Sequence, residues 1–322
     1  MRVARFMWRK NQSFFIFRST VYFQIQHENR NNPRVAMALD ALPVLVVIGG
    51  GGIGLATAHR LGAGRHILLA SRSPSTLAAG AESLRNAGHK VTTQQVDVSC
   101  YESVAAVAQA AACLGGAVET VVLTSAVSPS MGTTGAILAV DVLGTANVIE
   151  AFGGREVEMA PGSSLTCVAS MVQHNAPPLS AALERHLAVA PLSTLLENAE
   201  LRDLVGGDGG PSGVAYCVAK RANRLRAQAA AVSREYAGRG VRVNCVSPGM
   251  TRTNMLAVEA EGASGEAIRK IMKEHPLKRA GTAEEVADAV AFVAGCGYVN
   301  GTDLLVDGGW IAKKRWGEMG AD

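Results

Sequence analysis

The sequence predicts a doubly wound α/β fold, a single domain on a parallel sheet with helices on both faces. Two observations carry this expectation. After Pro43, short runs rich in Val, Leu and Ile alternate with Ala-rich stretches of helical length, and strands that are apolar throughout need cover on both faces, which βαβ units supply. A run of four glycines follows the first apolar run directly, where a strand of such a fold turns into a helix.

The elements follow in order. Residues 44–48 (VLVVI) are wholly apolar and read as a strand, and 54–61 open a helix behind the glycines. Residues 66–70 form the second strand, 75–87 a helix, 91–96 the third strand and 102–112 a helix. Residues 120–123 are a strand, 137–152 a helix and 164–169 a fifth strand. The rhythm then breaks between Ser170 and Tyr216. Residues 174–212 hold four of the eleven prolines (Pro177, Pro178, Pro191, Pro211) and end Gly-rich. Leu192, Leu195, Leu196, Leu201, Leu204 and Val205 predict one short amphipathic helix inside this insertion. The alternation resumes with a helix from Tyr216, a strand over 241–246 and a helix over 283–294, where Thr282 with Glu284, Glu285 and Asp288 fits a helix N-terminus.

Composition narrows the function. At 48% hydrophobic and 18% charged, the chain is too apolar for disorder. The net charge of +4 sits in the first 40 residues, which carry seven basic side chains against Glu28 and Asp40. The rest is near neutral, without the basic stripe that nucleic-acid binding needs, so no nucleic-acid partner is expected. Six widely spaced cysteines form no C-x-x-C pair, which points to a reducing compartment and no structural metal. No apolar run approaches the length of a membrane span. The extension 1–42 is Arg-rich, aromatic and free of acid over its first 27 residues. It is either a mitochondrial transit segment over residues 1–36 or an over-extended start with Met37 as the working one. The expected location is cytoplasmic, or mitochondrial if the transit reading holds. Residues 312–322 are expected to be a tail.

Gly49, Gly51 and Gly54 fit G-x-G-x-x-G, with Gly52 and Ile53 inside the loop. Backbone without Cβ can turn tightly there and approach a pyrophosphate at the helix N-terminus. About 20 residues on, the second strand ends Ala70-Ser71-Arg72. A carboxylate there would repel a 2′-phosphate, whereas Ser71 cannot and Arg72 can pair with it. NADP is therefore favoured over NAD. Tyr216 and Lys220 lie four residues apart on one helix face. A free phenol titrates near 10, so a tyrosine acid–base needs a neighbouring cation, and Lys220 is placed to be one.

The glycine loop, Asp97 closing the third strand, Ser170 closing the fifth, Tyr216 with Lys220, and Ser247-Pro248-Gly249 occur in one order. This order resembles the short-chain dehydrogenase/reductase family over residues 43–311, and implies its Rossmann-like fold. The resemblance implies that Tyr216 is the general acid–base, and that Lys220 lowers its pKa and holds the nicotinamide ribose. It implies that Ser170 hydrogen-bonds the substrate oxygen, and that Asp97 with Val98 meets the adenine. Pro248, Gly249, Thr251 and Thr253 would line the nicotinamide. Partners implied are a small alcohol or carbonyl substrate and further copies of the chain, as a homodimer or homotetramer.

Three departures stand out. Ile48 takes the place of the family's threonine before a glycine loop one residue shorter. Leu123-Thr124-Ser125-Ala126 stands where N-N-A-G is usual, and Asp141 stands where a helical asparagine commonly organises a proton-relay water. They leave open a catalytically inactive, NADP-binding regulatory or scaffold protein beside the enzyme reading. An S-adenosylmethionine methyltransferase gives Tyr216 and Lys220 no task. The insertion begins four residues after Ser170 and ends four before Tyr216, so it is expected to wall the substrate pocket as a lid. Residues 255–271 would supply the opposite wall. The insertion's leucines and prolines suggest an apolar or alicyclic substrate. His174 and His186 are expected in solvent, and Cys167 and Cys217 as small buried groups.

Overall fold

The computed structural model describes residues 41–207, 212–262 and 264–320. The extension that carries the transit and early-start readings lies outside the described residues. The chain divides between Leu42 and Pro43, and the sheet with all its helices belongs to the second unit.

The strands are β1 (Val44–Ile48), β2 (His66–Ser71), β3 (Lys90–Gln95), β4 (Val118–Leu123), β5 (Ser164–Val168), β6 (Arg242–Pro248), β7 (Thr251–Arg252), β8 (Gly281–Thr282) and β9 (Asp303–Val306). Seven of them form a parallel sheet in the order β3-β2-β1-β4-β5-β6-β9, while β7 and β8 pair separately. The helices are α1 (Gly52–Leu61), α2 (Pro74–Asn86), α3 (Tyr101–Ala112), α4 (Thr134–Arg155), α5 (Ala181–Val189), α6 (Ala199–Val205), α7 (Ser212–Ala231), α8 (Asn254–Glu261), α9 (Gly265–Glu274), α10 (Ala283–Gly295) and α11 (Trp310–Glu318).

Every side chain of β1 is fully buried, and the alternation of the strand sends them to two cores. Val44, Val46 and Ile48 pack with α3 and α4; Leu45 and Val47 pack with α1, α2 and α10. The strand order reverses between β1 and β4, the switch point at which such sheets bind ligands. Register completes the site's frame. Ile48 pairs with both Ala70 and Leu123, so β1, β2 and β4 end level and their loops emerge together. The expected capping of α10 is present as a full box: Thr282 Oγ1 accepts from Glu285 N at 3.2 Å, and Thr282 N donates to Glu285 Oε2 at 2.8 Å.

Several expectations need correction or detail. The described part of the insertion holds two helices, α5 and α6: of the stretch 192–205 that the leucines suggested, only 199–205 is helical, and α5 is an additional helix that stops just before Pro191, which cannot continue it. The insertion's leucines are largely core: Leu183, Leu187, Leu195 and Leu201 are fully buried against α4 and α7, and Leu179, Leu192, Leu196 and Leu204 pack partly buried on the same cluster. A helix, α11, runs from Trp310 to Glu318 and so enters the expected tail at 312–322, with Asp307 accepting from Gly309 N and Ile311 N at its start. The helix α4 is long and apolar enough to cross a membrane, contrary to the reading of the runs, but two-thirds of its most apolar stretch is buried inside the protein. It is a core helix.

Candidate active site

The glycine loop places its left-handed turns at Gly49 (φ 122°) and Gly52 (φ 48°), so Gly52 rather than Gly51 serves the second turn. Gly54 is required for another reason: an added Cβ would lie 1.8 Å from the Gly49 carbonyl oxygen. At Gly51 an added Cβ would meet only Thr76 Cγ2, at 3.8 Å, so this stretch of backbone is open. No side chain caps α1, and its first turn carries no acid. An open glycine backbone running into an uncapped helix N-terminus fits a pyrophosphate. Thr124, part of the unusual L-T-S-A stretch, hydrogen-bonds through Oγ1 to the carbonyls of Ile48 (3.4 Å) and Gly49 (3.3 Å), tying β4 to the loop.

Other predicted cofactor residues gather around this loop. The side chain of Ser71 lies beside Gly50, and Thr253 lies beside Gly52. Arg72 is exposed, and among the described residues no partner engages its guanidinium. Thr251 Oγ1 donates to Gly249 O at 3.2 Å and Thr253 Oγ1 to Thr251 O at 3.3 Å, which folds the segment after β6 into a compact turn. Pro248 is the last residue of β6. Gly249 packs so closely on Asp307 that a Cβ would sit 2.8 Å from its Cα. Asp97 is exposed and holds its own turn, accepting from Ser99 N and Oγ at 3.0 and 2.7 Å. Val98 is buried, and its carbonyl accepts from Asn147 Nδ2 at 2.8 Å.

Beyond β4 the site is built from polar side chains, of which Asp141 and Lys220 are buried and Ser170 and Tyr216 half-buried. Ser170 lies two residues past β5, where its hydroxyl accepts from Val172 N at 3.3 Å and hydrogen-bonds the Tyr216 phenol. Lys220, one turn along α7, sets its ammonium 5.3 Å from the centre of the Tyr216 ring. Asp141 completes the group. It sits in a π-helical stretch of α4, Leu138–Leu143, whose wider turn aims its carboxylate at Lys220. Asp141 Oδ2 lies 3.1 Å from Lys220 Nζ, with the two side chains 0% and 1% exposed, and Oδ1 accepts from Val127 N at 2.8 Å.

The electrostatics follow from burial. Burial pushes the Asp141 carboxyl up, with the Lys220 charge opposing. At Lys220 burial acts downward, but the charges of Asp141 and Tyr216 outweigh it and the ammonium is held above its ordinary value. The Tyr216 phenol is raised by burial, with Asp141 and Glu259 adding to that and Lys220 and Ser170 opposing.

Sequence reasoning missed two parts of this site. Gln173 Nε2 donates to Ser247 Oγ (2.7 Å) and Asp303 Oδ2 (2.8 Å), and Ser247 Oγ donates to Asp303 Oδ1 (2.6 Å), locking the turn after Ser170 to β6 and β9. Glu259 on α8 accepts from Ser130 N at 2.7 Å and so latches α8 to the loop before α4. Neither has a sequence signal, because each joins residues more than 50 positions apart. His174 and His186 are half-buried rather than in solvent: Arg315 of α11 donates to His174 Nδ1 at 3.1 Å, and His186 Nε2 bonds Leu195 O at 3.0 Å. Cys167 is buried as expected and Cys217 half-buried.

Comparisons with known proteins show the family and the fold. A family model described as short chain dehydrogenase matches residues 43–151, and one described as enoyl-(acyl carrier protein) reductase matches 201–311. Most of the insertion lies between the two. The chain is 35% identical over 271 residues to the short-chain dehydrogenase/reductase bsc3 of Alternaria brassicicola, covering 83% of this chain and 95% of that one. It is 30% identical over 280 residues to cis-4-hydroxycyclohexanecarboxylate dehydrogenase of Sinomonas cyclohexanicum, covering 84% and 96%. Levodione reductase shares the fold with a TM-score of 0.64 at 24% identity, covering 84% of this chain and 98% of that one. So does a short chain dehydrogenase from Burkholderia cenocepacia, at 0.63 and 24%, covering 85% and 99%.

Proposed function

The chain belongs to the short-chain dehydrogenase/reductase family, and from that premise we propose that it is an NADP(H)-preferring oxidoreductase for an apolar or alicyclic alcohol/carbonyl pair. The observation that carries the catalytic part is the group of half-buried Ser170 and Tyr216 with fully buried Lys220, whose ammonium lies 5.3 Å from the centre of the Tyr216 ring. A dinucleotide held by the glycine loop at Gly49 to Gly54 would supply the hydride in reduction and take it up in oxidation. In reduction Ser170 donates a hydrogen bond to the substrate carbonyl oxygen, and Tyr216 gives that oxygen its proton as the hydride reaches the carbon. The ammonium of Lys220 stabilises the phenolate left behind. Oxidation runs the same transfers in reverse.

The preference for NADP rests on the end of β2. Ser71 lies against the loop, Arg72 is exposed beside it, and no carboxylate stands at either position to reject a 2′-phosphate. The alicyclic part rests on the relative that acts on cis-4-hydroxycyclohexanecarboxylate, aligned over nearly its whole length. The insertion's leucines no longer support it, being used up in packing against α4 and α7.

Titration with NADPH and NADH, paired with turnover on a panel of cyclic and open-chain ketones and alcohols, tests both parts. NADPH is expected to bind at least about 10-fold more tightly, with most of that margin lost in Arg72→Ala. Equal affinities unaffected by the substitution would refute the NADP assignment. Binding without turnover across the panel would favour the inactive scaffold instead.

A further inference from the structure

We propose that Asp141 is a positioning residue that sets the working pH of Tyr216: its charge cancels much of that of Lys220, so the phenol stays a proton donor through neutral pH. The inference rests on the reading of Tyr216 as the acid–base.

The argument begins with position. A lone ammonium held over a tyrosine ring, as Lys220 is at 5.3 Å from the ring centre, favours the phenolate. Here the ammonium has a carboxylate 3.1 Å away, on the opposing helix α4, and neither side chain reaches solvent. Water cannot screen the pair, so Tyr216 meets a dipole rather than a cation. The carboxylate is anchored at Oδ1 by the hydrogen bond from Val127 N and faces Lys220 through Oδ2 in an ion pair. The π-helical stretch holds the register, and Thr145 Oγ1 donates to the Asp141 carbonyl at 2.7 Å.

The remaining neighbours do not restore the lost cation. On α8, Glu259 adds a second negative influence on Tyr216. From the sheet, the Cys167 and Cys245 thiols face Lys220, and burial keeps both protonated far above neutrality. Ser170 contributes a hydrogen bond and no charge. Lys220 is thus the sole cation among the described groups that act on Tyr216, and Asp141 is the acid that touches it. Tyr216 should serve reduction readily near neutral pH, whereas oxidation, which needs the phenolate, should rise only under alkaline conditions. The equilibrium of the reaction is unaffected; what changes is the pH at which each direction is fast.

The test is an ultraviolet difference titration of the phenolate near 295 nm. Wild type is referenced to Tyr216→Phe, and Asp141→Asn to the double variant. The pH profile of kcat/KM for alcohol oxidation is measured alongside, and Asp141→Ser serves as a second neutral replacement. In both Asp141 variants Tyr216 is expected to titrate about one to two pH units lower. The alkaline rise of the oxidation profile should move with it, giving roughly 10- to 100-fold faster oxidation at pH 7 relative to each protein's own maximum. Superimposed titrations and profiles for wild type and both variants would overturn the proposal. A shifted titration in a protein that turns over no alcohol or ketone would support the charge pairing and overturn the catalytic reading instead.

Discussion

The two sides of the sheet's switch point are made in different ways. The dinucleotide side, β1 to β3 with the loop at 49–54, is shaped by backbone: two left-handed glycines, one glycine that leaves room for a carbonyl, and an uncapped helix end. The catalytic side, β5 and β6 with α4 and α7, is shaped by polar and ionisable side chains: Asp141, Lys220, Cys167 and Cys245 are buried, and Tyr216 is half-buried. A site built from backbone fails when volume is added. One built from buried charge fails when charge is removed or the pH is moved.

The largest expected effect comes from breaking the charge pair. Lys220→Met leaves the Asp141 carboxylate buried and unpaired, and should lower stability by about 3–5 kcal/mol. The double variant Asp141→Asn/Lys220→Met should recover most of it, as urea unfolding would show. Equal losses in the single and double variants would mean that the pair is not coupled. On the other side, Gly54→Ala pushes a Cβ into the Gly49 carbonyl. It should cost about 1–3 kcal/mol, read as roughly 10- to 100-fold weaker dinucleotide binding with little change in the Tyr216 titration.

The smallest effect is a drift with pH. Burial raises the Cys167 thiol to about 12 and the Cys245 thiol and Tyr236 phenol well above their ordinary values. Above about pH 9 the unfolded chain sheds these protons while the folded chain keeps them. The unfolded state then binds fewer protons, so stability falls as pH rises. Hydrogen exchange between pH 8 and 10.5 should show β5, β6 and α7 losing protection before β1 and β2. Uniform loss would erase the distinction between the two sides.

The same contrast decides what could be read from the sequence. The dinucleotide side was legible because its cause is local: a strand, a run of glycines and the start of a helix within 18 residues, 44–61. Tyr216 and Lys220 were legible because four residues on a helix share a face. Asp141 could be marked as a departure, but its contact with Lys220 spans two helices and a π-turn, which no spacing encodes. The Gln173, Ser247 and Asp303 network and the Glu259 latch were invisible for that reason. The insertion misled because leucine periodicity reports that a face is buried, without reporting against what. Its face lies on α4 and α7 rather than on a substrate.

The central claim is that Tyr216 gives and takes the proton in an NADP(H)-dependent hydride transfer. Its most direct test is single-turnover hydride transfer in Tyr216→Phe with NADPH and a ketone that the wild type reduces, measured beside NADPH binding. The account predicts a rate lower by about 10²- to 10⁴-fold with NADPH affinity within a few-fold of wild type. An unchanged rate in Tyr216→Phe would contradict it.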